Sequence, residues 1–275
     1  MIRHTPLTPD ELRRRARRDL HCHTKYCRHA VGEMEDYVRS AIDRGLEEIG
    51  FLEHVERGIQ YSRRTWLDDV EVDVYWNEAI MLKRQYARQI VVSAGIELGV
   101  NPAAVRELTE VAVRHPWDRV ALSYHFVWDE TANIHLNISS AKDPNLRLLQ
   151  ARDPVALALE YYDVLARHIP VFRPFMICHL DVPRRNLPDV SDEPAVRAAI
   201  RRVLAAMRQA GAALEINTAG YVYTGQLYPA PGTLSEAIRM GLNLVFASDS
   251  HAPDRPGTDF DRALAEILAK LEDGR

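Results

Sequence analysis

His21 and His23 flank Cys22 at the end of a short apolar run, Asp19–His23. Residues two apart on an extended chain project to one face, so both imidazoles can grip a single ion while Cys22 turns the other way. An HxH pair alone is a weak signal. Its meaning comes from the ends of the other apolar runs: His54 closes GFLEH, Glu97 stands in GIELG, His125 in SYHF, His179 in CHLD, and Asp249 with His251 in SDSH. Mixed imidazole and carboxylate ligands suit zinc, manganese or iron and do not discriminate among them. Two or three such divalent ions, clustered, lower the pKa of water from 15.7 toward about 7 and neutralise an anionic substrate. A phosphomonoester requires both, because its dianion repels hydroxide and its uncatalysed hydrolysis is among the slowest of biological reactions.

Seven runs rich in Val, Ile or Leu read as buried parallel strands: Asp19–His23, Glu48–Glu53, Ile90–Leu98, Val120–His125, Phe175–Leu180, Ala213–Asn217 and Asn243–Ser248. Amphipathic stretches lie between them. In the first, Met34, Tyr37, Val38, Ala41, Ile42 and Leu46 recur at helical spacing, and Gly45 suits the helix end. Further helices are expected near Val72–Arg88, Pro102–Arg114, Pro154–Arg167, Glu193–Gly211, Thr233–Met240 and Asp259–Leu271. Strand alternating with helix predicts an α/β barrel, in which the C-terminal strand ends converge on one mouth. Six of the seven runs would deliver a ligand there. His4, His115, His135 and His168 fall on predicted helices or loops and are expected to be ordinary satisfied histidines. Two long polar connections, Glu56–Glu71 and Trp128–Asp153, have the length of functional lids.

With 275 residues, 47% of them hydrophobic and 27% charged, the chain can bury a full core. A net charge of −4 and a pI near 6.3 exclude a general attraction for nucleic acid or anionic membrane. No apolar run has the roughly 20 residues of a membrane span, and a cytoplasmic location is expected. Cys22, Cys27 and Cys178 cannot all pair, and reduced thiols are expected. The Arg13–Arg18 run reads as a solvated helix face outside the barrel.

DLHCHT, Arg28-His29-Ala30, GFLEH, GIELG, SYHF, CHLD, EINTAG, LYP and SDSH occur in this order between Asp19 and Asp259. As an ordered set they resemble the PHP (polymerase and histidinol phosphatase) family, in particular its histidinol phosphatases. The resemblance implies a distorted seven-stranded (β/α), TIM-like barrel over residues 19–275, after an N-terminal extension over 1–18. It also implies a trinuclear site. His21, His23, Glu97 and Asp249 would hold one metal, His29, His54 and His251 a second, and His125, His179 and a shared Glu97 a third. Glu97, Asp249 and His251 would carry the chemistry, with a metal-bridging hydroxide as nucleophile. The implied reaction is that of a histidine-biosynthetic enzyme, hydrolysis of L-histidinol phosphate to L-histidinol and phosphate.

Arg184 and Arg185 follow His179 where the family often carries a base that clamps phosphate, and guanidinium matches phosphate oxygens bidentately. Asn217 ends the sixth run facing the mouth and would orient substrate; Asp181 would support a ligand from behind; Cys22 and Cys178 alternate toward the barrel wall. One departure concerns substrate. After the NTAG motif the family commonly shows a basic, GLRK-like string, and here Tyr221-Val222-Tyr223 follows Gly220. The alternatives are a PHP phosphoesterase of different specificity and a non-catalytic, metal-binding PHP module. An amidohydrolase shares the HxH opening but usually wants a lysine on the fourth strand, where this sequence has His125.

Overall fold

The computed structural model describes residues 7–273, so His4 lies outside the described residues. In chain order the elements are α1 (Pro9–Arg15), β1 (Arg18–Cys22), α2 (Met34–Asp43), β2 (Glu48–Val55), α3 (Asp69–Gln85), β3 (Val91–Gly99), α4 (Val105–Ala112) and β4 (Arg119–Ser123). A hairpin, β5 (Phe126–Asp129) and β6 (Ile134–Asn137), comes next, then α5 (Asn145–Gln150) and α6 (Pro154–Phe172). The last third holds β7 (Met176–Ile177), α7 (Pro194–Ala210), β8 (Ala213–Asn217), α8 (Gly220–Thr224), α9 (Pro231–Arg239), β9 (Leu244–Ala247) and α10 (Phe260–Asp273). Seven parallel strands run in the order β1-β2-β3-β4-β7-β8-β9. The ring closes where the His23 amide donates to the Ser250 carbonyl at 2.8 Å and Cys22 bridges Ser250. This is the seven-stranded barrel expected.

Alternation sorts the strand residues into two cores. Outward residues such as Ile49, Phe51, Ile96, Leu98, Leu122, Ile216 and Phe246 pack with the helices in one large cluster. Leu20, Leu52, Ala121, Met176, Cys178, Ala213 and Val245, from six strands, fill the barrel interior as a layer. Gly95 completes it on β3, where a Cβ would collide with the Arg119 carbonyl and the Leu52 side chain. Helices cover the outside with the stripe their spacing demands. In α2 the residues Met34, Tyr37, Val38 and Ala41 are buried, a Glu33/Asp36 capping box opens the helix, and Gly45 at φ +71 follows it.

Some expectations change. The Trp128–Asp153 connection is no plain loop, because Phe126–Asn137 pairs as the β5–β6 hairpin and α5 follows. His135 therefore stands on a strand. Its amide donates to the Gln60 carbonyl and its Nδ1 accepts from the Gln60 amide, both at 3.0 Å, which ties the hairpin to the Glu56–Glu71 connection. α6 runs on to Phe172, past Arg167. The arginine run forms much of α1, where Arg13, Arg14 and Arg15 pair with Asp10 and Glu11, Leu12 is fully buried, and Arg15 reaches the Leu244 carbonyl at 2.8 Å. All three cysteines are free and buried. No helix among the described residues is long and apolar enough to cross a membrane.

Candidate metal centre

Local backbone, more than alternation, aims the side chains at the mouth. Register between β1 and β2 jumps from Asp19↔Ile49 to Cys22↔Phe51, so β1 carries an extra residue that turns Leu20 and His21 to the same interior. His23 then follows by alternation. Past β7, Cys178 occupies the inward position, and a left-handed backbone at His179 (φ +28) brings the next residue in as well. Asp249 (φ +52) makes the same turn after β9, and Arg28 (φ +64) before His29. Non-glycine residues in this region are strained, and such strain concentrates where a fixed side-chain position matters.

Nine side chains meet. Glu97 is at the centre: its Oε2 lies 2.7 Å from His54 Nδ1 and 3.6 Å from both His21 and His23 Nε2. Its Oε1 lies 2.9 Å from His179 Nε2 and 3.2 Å from His125 Nε2. Asp249 Oδ1 lies 3.2 Å from His23 Nε2 and 3.8 Å from His21 Nε2, and the Nε2 atoms of His29 and His251 are 2.9 Å apart. Donor atoms of His21, His23 and Asp249 fall within 4.8 Å of one another, and so do those of His23, His54 and His251.

The far sides of the rings are held too. His21 Nδ1 is 2.6 Å from Glu215 and His125 Nδ1 is 2.8 Å from Glu56, whereas His23 Nδ1, 3.6 Å from Glu53, is beyond hydrogen-bond reach. His29 and His251 turn Nδ1 to the carbonyls of Cys27 and Asp249 at 2.7 and 2.8 Å. A carboxylate or carbonyl behind an imidazole fixes its tautomer and leaves Nε2 with a lone pair toward the centre. The electrostatics agree. Burial and the neighbouring His23 push His54 well below the ordinary histidine value and His251 down to about 3, so both are neutral. Burial works against the ionised carboxyl of Glu97, yet the neighbouring imidazoles, His125 foremost, hold it well below the carboxylate range. At His125 burial is overcome by Glu97 and Glu56, which raise it to about 10 and mark that corner as one that attracts positive charge.

Buried atoms without a hydrogen-bond partner include His23 Nδ1, His54 Nδ1, His179 Nδ1 and Glu97 Oε2. His54 Nδ1 and Glu97 Oε2 are close, but their bonding directions miss each other. None of the carboxylates of Glu53, Glu56, Glu97, Glu215 and Asp249 pairs with lysine or arginine through its side-chain oxygens among the described residues. Buried nitrogens and carboxylates converging without counter-cations fit divalent ions by their donor chemistry. The PHP domain family matches residues 19–219.

The chain belongs to the PHP domain family. A protein of Deinococcus radiodurans named "Probable histidinol-phosphatase" is 27% identical to it over 253 residues, covering 90% of this chain and 92% of that protein. The Bacillus subtilis histidinol-phosphatase is 25% identical over 265 residues, covering 90% and 98%. A Listeria monocytogenes crystal structure superposes with a TM-score of 0.78 at 22% identity, over 89% of this chain and 99% of that one. Histidinol phosphate phosphatase from Lactococcus lactis, solved with zinc, L-histidinol and phosphate, gives 0.72 at 20% identity, over 93% and 92%. The structural likeness establishes the shared PHP fold, a distorted barrel of seven parallel strands.

Above the PHP centre opens a cavity of about 780 Å³, into which His29, His54, His125, His179, Asp249 and His251 project. Both long connections wall it, the first through Gln60–Arg63 and the second through Ile134, Leu136 and Ser139–Asn145. The two expected phosphate arginines part company. Arg185 lines the cavity with its guanidinium 3.5 Å from the Tyr223 ring centre. Arg184 does not line it, because Asp189, Asp181 and Gln226 already hold its guanidinium at 2.8, 3.2 and 2.6 Å.

Asn217 is also displaced from its expected role. It is fully buried and donates to Glu215 at 3.0 Å and to Asp249 at 3.3 Å, so it orients a carboxylate of the centre and does not reach the cavity. Asp181 accepts from the Ala230 amide and Arg184 and supports the loop, with no hydrogen bond to a histidine of the centre. Cys22 joins the outer core as expected, whereas Cys178 alternates inward with Met176, within 4.8 Å of His21 and Glu215, and the left-handed turn at His179 is what brings that histidine to the same side. Burial raises its thiol well above the ordinary value. Glu53, Glu56 and Glu215 were missed as supporting residues. Glu56 shares the face of His54 and Glu215 that of Asn217, so alternation could have found both; Glu53 stands on the outward face and offered no such signal.

Proposed function

We propose that this PHP protein is a metal-dependent hydrolase of phosphomonoesters, with L-histidinol phosphate as its foremost substrate and L-histidinol and phosphate as products. One observation carries the reading: a single buried carboxylate, Glu97, touches five imidazoles, His54 with His21 and His23 through one oxygen, and His125 with His179 through the other. A carboxylate so placed would be shared between neighbouring ions. His21, His23 and Asp249 would hold one, His29, His54 and His251 a second, and His125 with His179 a third, Glu97 being shared. Two or three ions, zinc, manganese or iron, would supply charge neutralisation and acidify water.

The chain's own groups supply the rest. Glu215 and Glu56 fix the orientation of His21 and His125. Asn217 aims Asp249, and Arg185, stacked on Tyr223, offers the planar donor set that phosphate oxygens match. Cationic charge thus reaches the cavity from the loop after β7, beside the tyrosine that stands where a basic string was expected. Both long connections wall the space in which the ester would sit. Residues 19–275 would act as one catalytic domain, residues 1–18 as an extension, and the enzyme as a cytoplasmic one.

The matched D. radiodurans and B. subtilis proteins bear the histidinol-phosphatase name, which supports the substrate. The size of the cavity favours a second reading, a PHP phosphoesterase for a larger ester, since 780 Å³ lies well within the range of sites for drug-sized ligands. Phosphate release by manganese- or zinc-loaded protein from L-histidinol phosphate and a panel of other monoesters separates the two. Highest kcat/KM on histidinol phosphate is expected. Turnover of other esters with none on histidinol phosphate would establish the second reading, and turnover of no phosphoester would refute both.

A further inference from the structure

Four of the nine side chains of the centre stand on either side of a weak seam in the barrel. His21 and His23 come at the end of β1, and Asp249 and His251 follow β9. Every other pair of neighbouring strands in the ring shares two or more registered residues. β1 and β9 meet, among the described residues, only in the single bridge between Cys22 and Ser250. Yet donor atoms face one another across this line. Asp249 Oδ1 lies 3.2 Å from His23 Nε2 and 3.8 Å from His21 Nε2, and His251 Nε2 lies 2.9 Å from that of His29, in the segment after β1. Metal–ligand distances tolerate only about 0.2 Å, so something other than a strand ladder has to fix the width of the seam.

One carboxylate closes it from behind. Asp19 pairs in register with Ile49, an outward residue, so its side chain lies on the outer face of β1, away from the cavity, and is fully buried. Its Oδ1 accepts from the Ser248 amide at 3.0 Å and the His21 amide at 3.4 Å. Its Oδ2 accepts from the Ser248 hydroxyl at 2.5 Å and the Gly257 amide at 2.7 Å. Hydrogen bonds to an ionised acceptor out of water are the strong ones. Asp249 and His251 lie on the segment 248–257, and both ends of that segment are thus tied to the strand that carries His21 and His23. Two of the bonds fall on Ser248, immediately before the left-handed backbone of Asp249.

Resting on the metal-centre reading above, we infer that Asp19 is a positioning residue, which from behind the barrel wall sets the spacing of His21 and His23 from Asp249 and His251. It acts through the ligands and touches neither ion nor substrate. The two ions assigned to His21, His23 and Asp249 and to His29, His54 and His251 straddle the seam. The third, at His125 and His179, has no ligand there, and this separates positioning from general stability.

The test uses the full-length protein with manganese alone as probe, free ion being counted by electron paramagnetic resonance. D19N keeps the shape of the side chain, but its amide in either orientation points an NH2 at a backbone N–H, because each oxygen of Asp19 accepts from one. Manganese affinity is expected to fall about 10- to 100-fold, the range for removing a group that orients metal ligands from behind. Anomalous scattering from crystals at limiting manganese should place the loss at the two seam ions and spare the one at His125 and His179. S248A deletes the hydroxyl bond and keeps the charge of Asp19, so affinity should fall in the same direction by a smaller factor, and this variant decides the matter if D19N does not fold. Glu48→Ala, which weakens the fold at the other end of the barrel, should bind manganese as the wild type does. Wild-type affinity in D19N would overturn the inference. So would wild-type affinity in S248A beside a weakened D19N, since charge alone would then explain the loss, and so would a loss spread evenly over all ions or shared by Glu48→Ala. A wild type that binds manganese in this Asp19-dependent way yet hydrolyses no phosphoester would keep the inference and refute the enzymatic reading. A wild type that binds neither manganese nor zinc would overturn the metal centre and this inference with it.

Discussion

The two ends of the barrel both bury charge, and they treat it in opposite ways. At the N-terminal end Glu48, 5% exposed, meets Arg119 at 2.6 Å, and Arg119 also reaches the Ser93 hydroxyl. Opposite charges are matched there within the chain. At the C-terminal end five carboxylates and seven histidines crowd together with no lysine or arginine bound to those carboxylates among the described residues, and several of their atoms lack partners. Between the two lies the apolar layer from Leu20 to Val245. The difference separates two uses of buried charge. The lower pair matches charge with charge and serves the fold, with only Arg119 Nε left unpaired, whereas the upper cluster gathers carboxylates without a counter-cation and is arranged for what the protein binds.

The sharpest way to break this contrast is to exchange the roles. Glu97→Gln removes the shared charge and should cost at least about 10³-fold in kcat, with bound metal reduced and the fold retained by circular dichroism; His23→Ala and Asp249→Ala should likewise abolish turnover. Wild-type activity in any of them would contradict the separation. At the lower end, Glu48→Ala leaves Arg119 without its partner and should destabilise by about 3 kcal/mol in urea, with kcat unchanged. Chelation should come next, lowering stability by about 3 kcal/mol if the ions were present at about 100 times Kd. Since the two ends lie far apart, that loss should be the same in Glu48→Ala, and non-additivity would show the ends to be coupled.

The smallest effect concerns the walls. Burial lowers His135 below its ordinary value while its Nδ1 accepts from Gln60. As pH falls below about 6.5 the unfolded state takes up this proton first, so stability is lost on the acid side down to the folded value. His135→Asn keeps an acceptor without a titration and should flatten that slope slightly, by about 1–3 °C in Tm, with no change at pH 8. An unaltered slope would remove His135 from the account.

Much of this arrangement was legible in the residues because strand and helix periodicities are strong and because parallel strands gather their C-terminal ends. His54, Glu97 and His125 follow directly from alternation. What alternation could not reveal is where the backbone departs from it. Cys178 follows Met176 inward and the left-handed turn at His179 brings that histidine in beside it, against expectation, while the extra residue in β1 puts His21 beside Leu20 on one face. The fate of Arg184 was equally hidden, since it depends on Asp189 and Gln226, five and forty-two positions away. The β5–β6 hairpin was masked by polar residues that read as loop, its strands being only four residues each.

Metal content per folded chain tests the central claim most directly. Protein purified without chelator, or dialysed against zinc or manganese and then freed of loose ions, should contain two or three equivalents by elemental analysis, falling by at least one in His23→Ala. A pure, folded sample holding no divalent ion, with unchanged thermal stability when zinc or manganese is added, would contradict it.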